Sequence, residues 1–123
     1  PEPLLAELVD AARARAGLAA LRRDRRLDAV ARAHSREMVR RGFFGHVSPT
    51  SGTIADRLAK RGLTPAAIAE NVARSGSARR AHRNLMASPS HRIHILEPRF
   101  THLGVGAAAD GEDVVVTQVF ARF

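Results

Sequence analysis

Apolar positions recur at helical spacing through the first third of the chain. Leu4, Leu5, Leu8, Val9 and Ala12 fall three or four residues apart, which predicts an opening helix that stops at Gly17. A second helix is expected over Arg25–Arg41, with Asp24 as its N-cap, Gly42 as its terminator, and Leu27, Val30, Ala31, His34 and Met38 along one face. A third starts at Thr53, where Thr53 and Asp56 have the spacing of a capping box, and ends at Gly62. Residues 77–86 read as a fourth helix. Ser88-Pro89 opens a short fifth, with serine as the cap and proline at the first helical position, ending before Pro98.

Elsewhere the period shortens to two. Strands are expected at residues 69–74, 103–109 and 113–121, the last two joined through Asp110-Gly111, a hairpin signal. In the final strand Val114, Val116, Gln118 and Phe120 share one face, while Val115, Thr117, Val119 and Ala121 share the other. Both faces are largely apolar, so both must be covered. The pattern therefore predicts an α+β fold, a three-layer α-β-α sandwich with a small antiparallel sheet between helical layers. No internal repeat, linker or low-complexity segment divides residues 1–123, so a single domain is expected.

Composition changes this picture in two respects. With 123 residues and 45% apolar content the chain can bury one full core and needs no metal or disulfide to fold. There is no cysteine, which removes disulfides, cysteine-zinc sites and thiol nucleophiles together and leaves the compartment open. The net charge of +8 comes from 20 basic residues, of which only Lys60 is lysine. Most of this charge reads as solvated helix faces, and the remainder suits an anionic partner. Arg22-Arg23-Asp24-Arg25-Arg26 has no interleaved aromatics for base stacking, so no specific nucleic-acid binding is expected. No apolar run is long enough to span a membrane, no signal peptide lies within the sequence, and Pro1-Glu2-Pro3 reads as a processed start.

Candidate chemistry centres on six histidines. His34, on an apolar helix stripe, reads as a hydrogen-bonded core residue, and His82 and His102 read as surface residues. His46 and His91 differ, because each stands where the chain changes direction. His46 follows Gly42-Phe43-Phe44-Gly45 in a chain with only five phenylalanines; one of the pair is expected in the core and the other beside His46. His91 lies in the first turn of a helix, where the dipole disfavours imidazolium and leaves a neutral ring able to ligate a metal or accept a proton. His94, one turn on, completes an isolated His-x-x-His pair, a weak metal signal.

Five ordered blocks carry a resemblance: GFFGHVSP, AENVA at 69–73, SPSHR followed by Ile95-Leu96, FTHLGVG at 100–106, and VTQVFA at 116–121. Together they resemble the CAP superfamily of cysteine-rich secretory, antigen 5 and pathogenesis-related 1 proteins, in its short, cysteine-free, bacterial SCP-like branch. The resemblance implies that family's α-β-α sandwich and a central cleft. His46 matches the family's first cleft histidine, Glu70 the acid of its Ala-Glu-Asn block, and His91 its later histidine. Where the family has a tryptophan and then a second acid, this chain has Leu85 and Ser88, whose hydroxyl is expected to cap the fifth helix. His94 replaces an asparagine common in bacterial relatives.

By this resemblance Ser88, Phe44 and Asn71 join His46, Glu70 and His91 in the cleft, and His46 and His91 would hold a divalent, zinc-like ion. Glu70 would be a general base, or an acceptor that fixes one histidine's tautomer; alternatively Glu70 and Asn71 merely stitch the first strand to its neighbours. The family's suggested activities include peptidase action, lipid binding and signalling. Two readings of function follow. The leading one is a monomeric, secreted or cell-envelope recognition module, holding a ligand or metal in the His46/Glu70/His91 cleft, with an anionic envelope polymer, a lipid or a small molecule as partner. The alternative is a metal-assisted hydrolase acting on peptide or cell-wall bonds, whose catalytic residue would be Glu70.

Overall fold

The computed structural model describes residues 1–123. Five helices and four strands follow in the order α1 (Glu2–Arg15), β1 (Arg22–Arg23), α2 (Arg25–Arg41), α3 (Ile54–Ala59), β2 (Ala67–Ser75), α4 (Ala78–Ala87), α5 (Pro89–Ile95), β3 (His102–Asp110) and β4 (Asp113–Arg122). The sheet order is β1-β3-β4-β2, with the β3–β4 hairpin and the β2–β4 pair antiparallel. The expected sandwich is present, with one addition. Arg22 and Arg23, in the basic stretch read as solvated, form a two-residue edge strand parallel to β3. No helix is long and apolar enough to cross a membrane.

The alternation in β4 sorts the core into two layers. Val114, Val116 and Phe120 pack with Leu5, Val9 and Ala12 of α1, Ala81 and Leu85 of α4, and Ile95 of α5. Val119 and Ala121 pack with Leu27, Val30 and Ala31 of α2 and Leu58 of α3, and Val115 packs with Met38. Helix ends follow the local chemistry expected of them. The Asp24 carboxylate accepts from the Arg26 and Leu27 amides, Gly42 closes α2 at φ 69°, and Thr53 and Asp56 exchange both bonds of a capping box.

Because β1 covers only two residues of β3, the rest of that strand's outer edge needs other partners. Side chains supply them. The Asp28 carboxylate accepts from the Val105 amide at 2.9 Å, and Glu2 accepts from the Ala107 amide at 3.1 Å while pairing with Arg32. Across the other layer, the Arg13 guanidinium is fully buried and donates to the carbonyls of Ala19, Ile95 and Glu97 at 2.8–3.0 Å. It thereby ties α1 to the C-terminus of α5, where carbonyls lack helical partners.

Helix α2 lies directly on β3 because that strand carries glycine at the crossing. A methyl group on Gly106 would sit 2.2 Å from the Arg32 amide nitrogen, and one on Gly104 2.2 Å from the Leu27 carbonyl carbon. Those obstacles are helix backbone, which cannot turn aside as a side chain can. Gly106→Ala should therefore lower the unfolding free energy by about 3 kcal/mol or more, at the upper end of overpacking costs. Gly45→Ala, which meets nothing within 4 Å, should change it by less than about 0.5 kcal/mol. Urea denaturation of the two variants measures the contrast, and equal effects would refute the close-packing account.

Candidate functional site

The site forms around β2, an edge strand, and uses both of its faces. Successive side chains of a strand point to opposite sides of the sheet, so Glu70 faces α2 and α3 while Asn71 faces α5. Glu70 is buried. Its carboxylate accepts from Arg57 Nη1 at 2.6 Å and Nη2 at 3.1 Å, and from His46 Nδ1 at 2.9 Å, with His34 Nε2 4.0 Å away. Asn71 donates through Nδ2 to the His91 carbonyl at 3.0 Å and to Gln118 Oε1 at 3.1 Å, and accepts from His94 Nδ1 at 2.8 Å.

The loop that follows α2 carries His46 and is pinned at several points. His34 Nε2 donates to the Gly45 carbonyl at 2.7 Å, and Arg57 Nη2 donates to the His46 carbonyl at 2.7 Å. The hydroxyls of Ser48 and Thr50 donate to Glu37, and the backbones of Ser48 and Gly52 pair across the turn. Burial raises the Glu37 pKa, but the hydroxyl donors and Arg41 outweigh it and hold the carboxyl below its usual value. With its backbone and Nδ1 both fixed, the His46 ring stands half exposed. Nδ1 donates to Glu70, so Nε2 carries the lone pair and can accept a proton, a hydrogen bond or a metal.

His91 is held from the other side. Its Nδ1 and the Ser88 hydroxyl are hydrogen-bonded at 2.8 Å. Ser88 thus departs from its expected role: it occupies the N-cap position of α5 but makes no side-chain capping bond, since its hydroxyl serves the His91 ring. Burial first, then the charges of His91 and His46, hold the pKa of the half-buried His94 below its usual value. His46 and His94 are thus held by adjacent residues of β2, Glu70 and Asn71, and His91 stands three residues before His94 on α5. No three His, Cys, Asp or Glu side chains gather as ligands for an ion, and both Glu70 oxygens are engaged by Arg57 and His46. A resident ion would have two imidazoles, His46 and His91, and no carboxylate.

The remaining candidates are also placed. Phe43 packs with Met38, Val72 and Val115 and meets the His34 ring edge-on at 5.9 Å, while Phe44 is 53% exposed. His82, read as a surface residue, is buried on α4 because Ala78, Ala81 and Leu85 turn the same side of that helix into the core. His102 is half-buried, its ring edge-on to Phe123 at 5.0 Å. Sequence reasoning missed Arg57 and Glu37. Both had a signal: Arg57 lies three residues after the apolar Ile54, and Glu37 three after the inward-facing His34.

Residues 6–120 match the CAP family, described as the cysteine-rich secretory protein family. The chain belongs to the CAP family. It is 36% identical over 120 residues to the uncharacterized protein YkwD of Bacillus subtilis (strain 168), covering 97% of this chain and 46% of YkwD. A solved extracellular protein containing an SCP domain from Bacillus anthracis str. Ames superposes with a TM-score of 0.93 at 32% identity, covering 99% of this chain and 40% of that one. An outer surface protein of Borrelia burgdorferi shares the fold, with a TM-score of 0.89 at 17% identity over 98% of this chain and 90% of that one. This CAP domain spans less than half the length of YkwD, and 31% of the membrane protein YlbC, which it matches at 34% identity.

Two outcomes follow from the site geometry. Glu70→Gln strips Arg57 of its buried counter-charge and should cost about 3–5 kcal/mol of stability, whereas His46→Ala, at a half-exposed ring, should cost less than about 1 kcal/mol. Urea midpoints of the two variants check this. Burial also holds the His34, His82 and His94 pKa values below the ordinary 6.5. The unfolded chain then takes up protons before the folded one, so stability should be level above about pH 7 and fall as pH drops below about 6.5. Denaturation curves at intervals from about pH 7.5 to about pH 5 measure the slope, and a level profile over that range would contradict it.

Proposed function

We propose that this CAP domain is an extracytoplasmic recognition module whose ligand is gripped between His46 and His91. One observation carries the reading: the His46 ring is pinned through Nδ1 to a carboxylate that is itself charge-balanced by buried Arg57, leaving Nε2 presented to solvent. A fixed imidazole acceptor suits binding, because its orientation entropy is already spent before the ligand arrives. The placement outside the cytoplasm is supported by the extracellular and outer-surface proteins that share the fold.

Catalysis by Glu70 meets a chemical obstacle. A general base needs an oxygen free to take a proton, and Glu70 gives its oxygens to two Arg57 nitrogens and one His46 nitrogen. Ser88 stands where a second acid would be needed. Zinc would be ligated by the Nε2 atoms of His46 and His91, with Glu70 behind His46 fixing its tautomer. For His91 that requires its Nδ1–H to donate to the Ser88 hydroxyl. Such an ion would polarise a ligand oxygen held against it.

The test is retention on purified bacterial cell-wall material, combined with zinc calorimetry on untagged protein. The wild type should be retained and release no soluble peptide, and His46→Ala and His91→Ala should each lose retention while remaining folded. Zinc should bind at about one equivalent near neutral pH and compete with protons for the imidazoles in acid, since imidazolium cannot ligate. Reproducible release of peptide by the wild type would replace this reading with the hydrolase, and retention unaffected by either histidine substitution would remove the cleft from the account.

A further inference from the structure

A cavity lies between α2 and α3, with a volume of about 550 Å³. His34 and Arg57 line it together with Arg36, Arg40, Lys60 and Arg61, while His46 and His91 are absent from its wall. It is thus separate from both of those rings, although Arg57 lines it and also pairs with the Glu70 carboxylate behind His46. We propose that this cavity binds a small phosphate ester, its phosphate held by the cationic rim.

The charge arithmetic favours an anion. Arg57 is neutralised by Glu70, and Glu37, the one acid in the wall, is occupied by Ser48 and Thr50 and faces Arg41 at 3.6 Å. Arg36, Arg40, Lys60 and Arg61 make no ion pair and no side-chain hydrogen bond, and all four are exposed. Four uncommitted cations around one concavity attract an oxyanion more strongly than the same charges spread over a surface would. Guanidinium groups in particular match the geometry of phosphate oxygens.

Two buried polar atoms without partners lie behind the same wall. Arg57 is 6% exposed, and its Nε has no hydrogen-bond partner although both terminal nitrogens are engaged. His34 is 1% exposed; its Nε2–H donates to Gly45, so Nδ1 is a lone-pair acceptor, and it too lacks a partner. Both atoms are closed to solvent, so a ligand in the cavity is held by the cationic rim and not by them. The remaining wall residues include Val30 and Ala33, apolar surface of the kind that meets a carbon backbone.

Calorimetry with glycerol 3-phosphate at low salt tests the proposal, with glycerol as the uncharged control. The wild type should bind the ester saturably and bind glycerol undetectably. Lys60→Glu/Arg61→Glu should weaken binding by about tenfold or more, and Arg79→Glu/Arg83→Glu, which changes net charge equally on the opposite helical layer, should alter it by less than about twofold. His46→Ala should leave it unchanged, so failure here and failure of the His46–His91 reading are separable. Absence of saturable binding, equal losses in both double variants, or a loss in His46→Ala would each overturn the assignment. Phosphatidylglycerol vesicles present the same phosphate at a membrane. Sedimentation with them that is lost in Lys60→Glu/Arg61→Glu would assign the ester to a lipid headgroup, and ester binding without sedimentation would assign it to a soluble or polymer-borne source; either outcome supports the pocket.

Discussion

A carboxylate buried on an edge strand constrains much of the architecture around the site. Removing Glu70 from water would cost several kcal/mol were it unpaired, so the fold must deliver a cation to it. Helix α3 does so through Arg57, and the same guanidinium reaches the His46 carbonyl and fixes the loop between α2 and α3. That loop has little regular structure of its own, and its conformation is held by Glu70, Glu37 and His34 from neighbouring elements. The presentation of His46 is a consequence of neutralising Glu70.

The sheet edge explains how one strand supports side chains from distant segments. An interior strand would have helices packed along both sides, separating its two faces. Because β2 is at the edge, Glu70 can support His46 from one layer while Asn71 supports His91 and His94 from the other. Asn71 binds the His91 backbone and the His94 ring at once, which makes α5 and β2 one unit. The asparagine is therefore as structural as it is site-forming.

The distribution of charge follows from how the acids are used. Glu2, Asp24, Asp28, Glu37, Glu70 and Glu97 are each engaged with a guanidinium, and several also accept from backbone amides or hydroxyls. With few acids and most of them paired, a net charge of +8 appears as arginines without partners on the outer faces of the helices. Basic character alone says nothing about where an anion would sit. The gap between α2 and α3 concentrates four of those cations around a cavity, and that concentration makes a local site of a diffuse property.

Sequence by itself determined the elements and layers of this protein, because periodicity, caps and terminating glycines act over a few residues. Asp24, Gly42, the Thr53–Asp56 box and the alternation through β4 operate locally and are visible locally. The matching blocks also named His46, Glu70, Asn71, Ser88 and His91. Tertiary structure decided what those residues do. It gave Glu70 to Arg57, turned the Ser88 hydroxyl from its helix cap to the His91 ring, drew His82 into the core, and used Arg22 and Arg23 as an edge strand. Each of these depends on a partner at least three residues away, and most on one ten or more away, with several acceptable candidates along the chain. Which candidate arrives is set by packing, above all by the approach of α2 to the glycines of β3, and the order of residues alone does not express it.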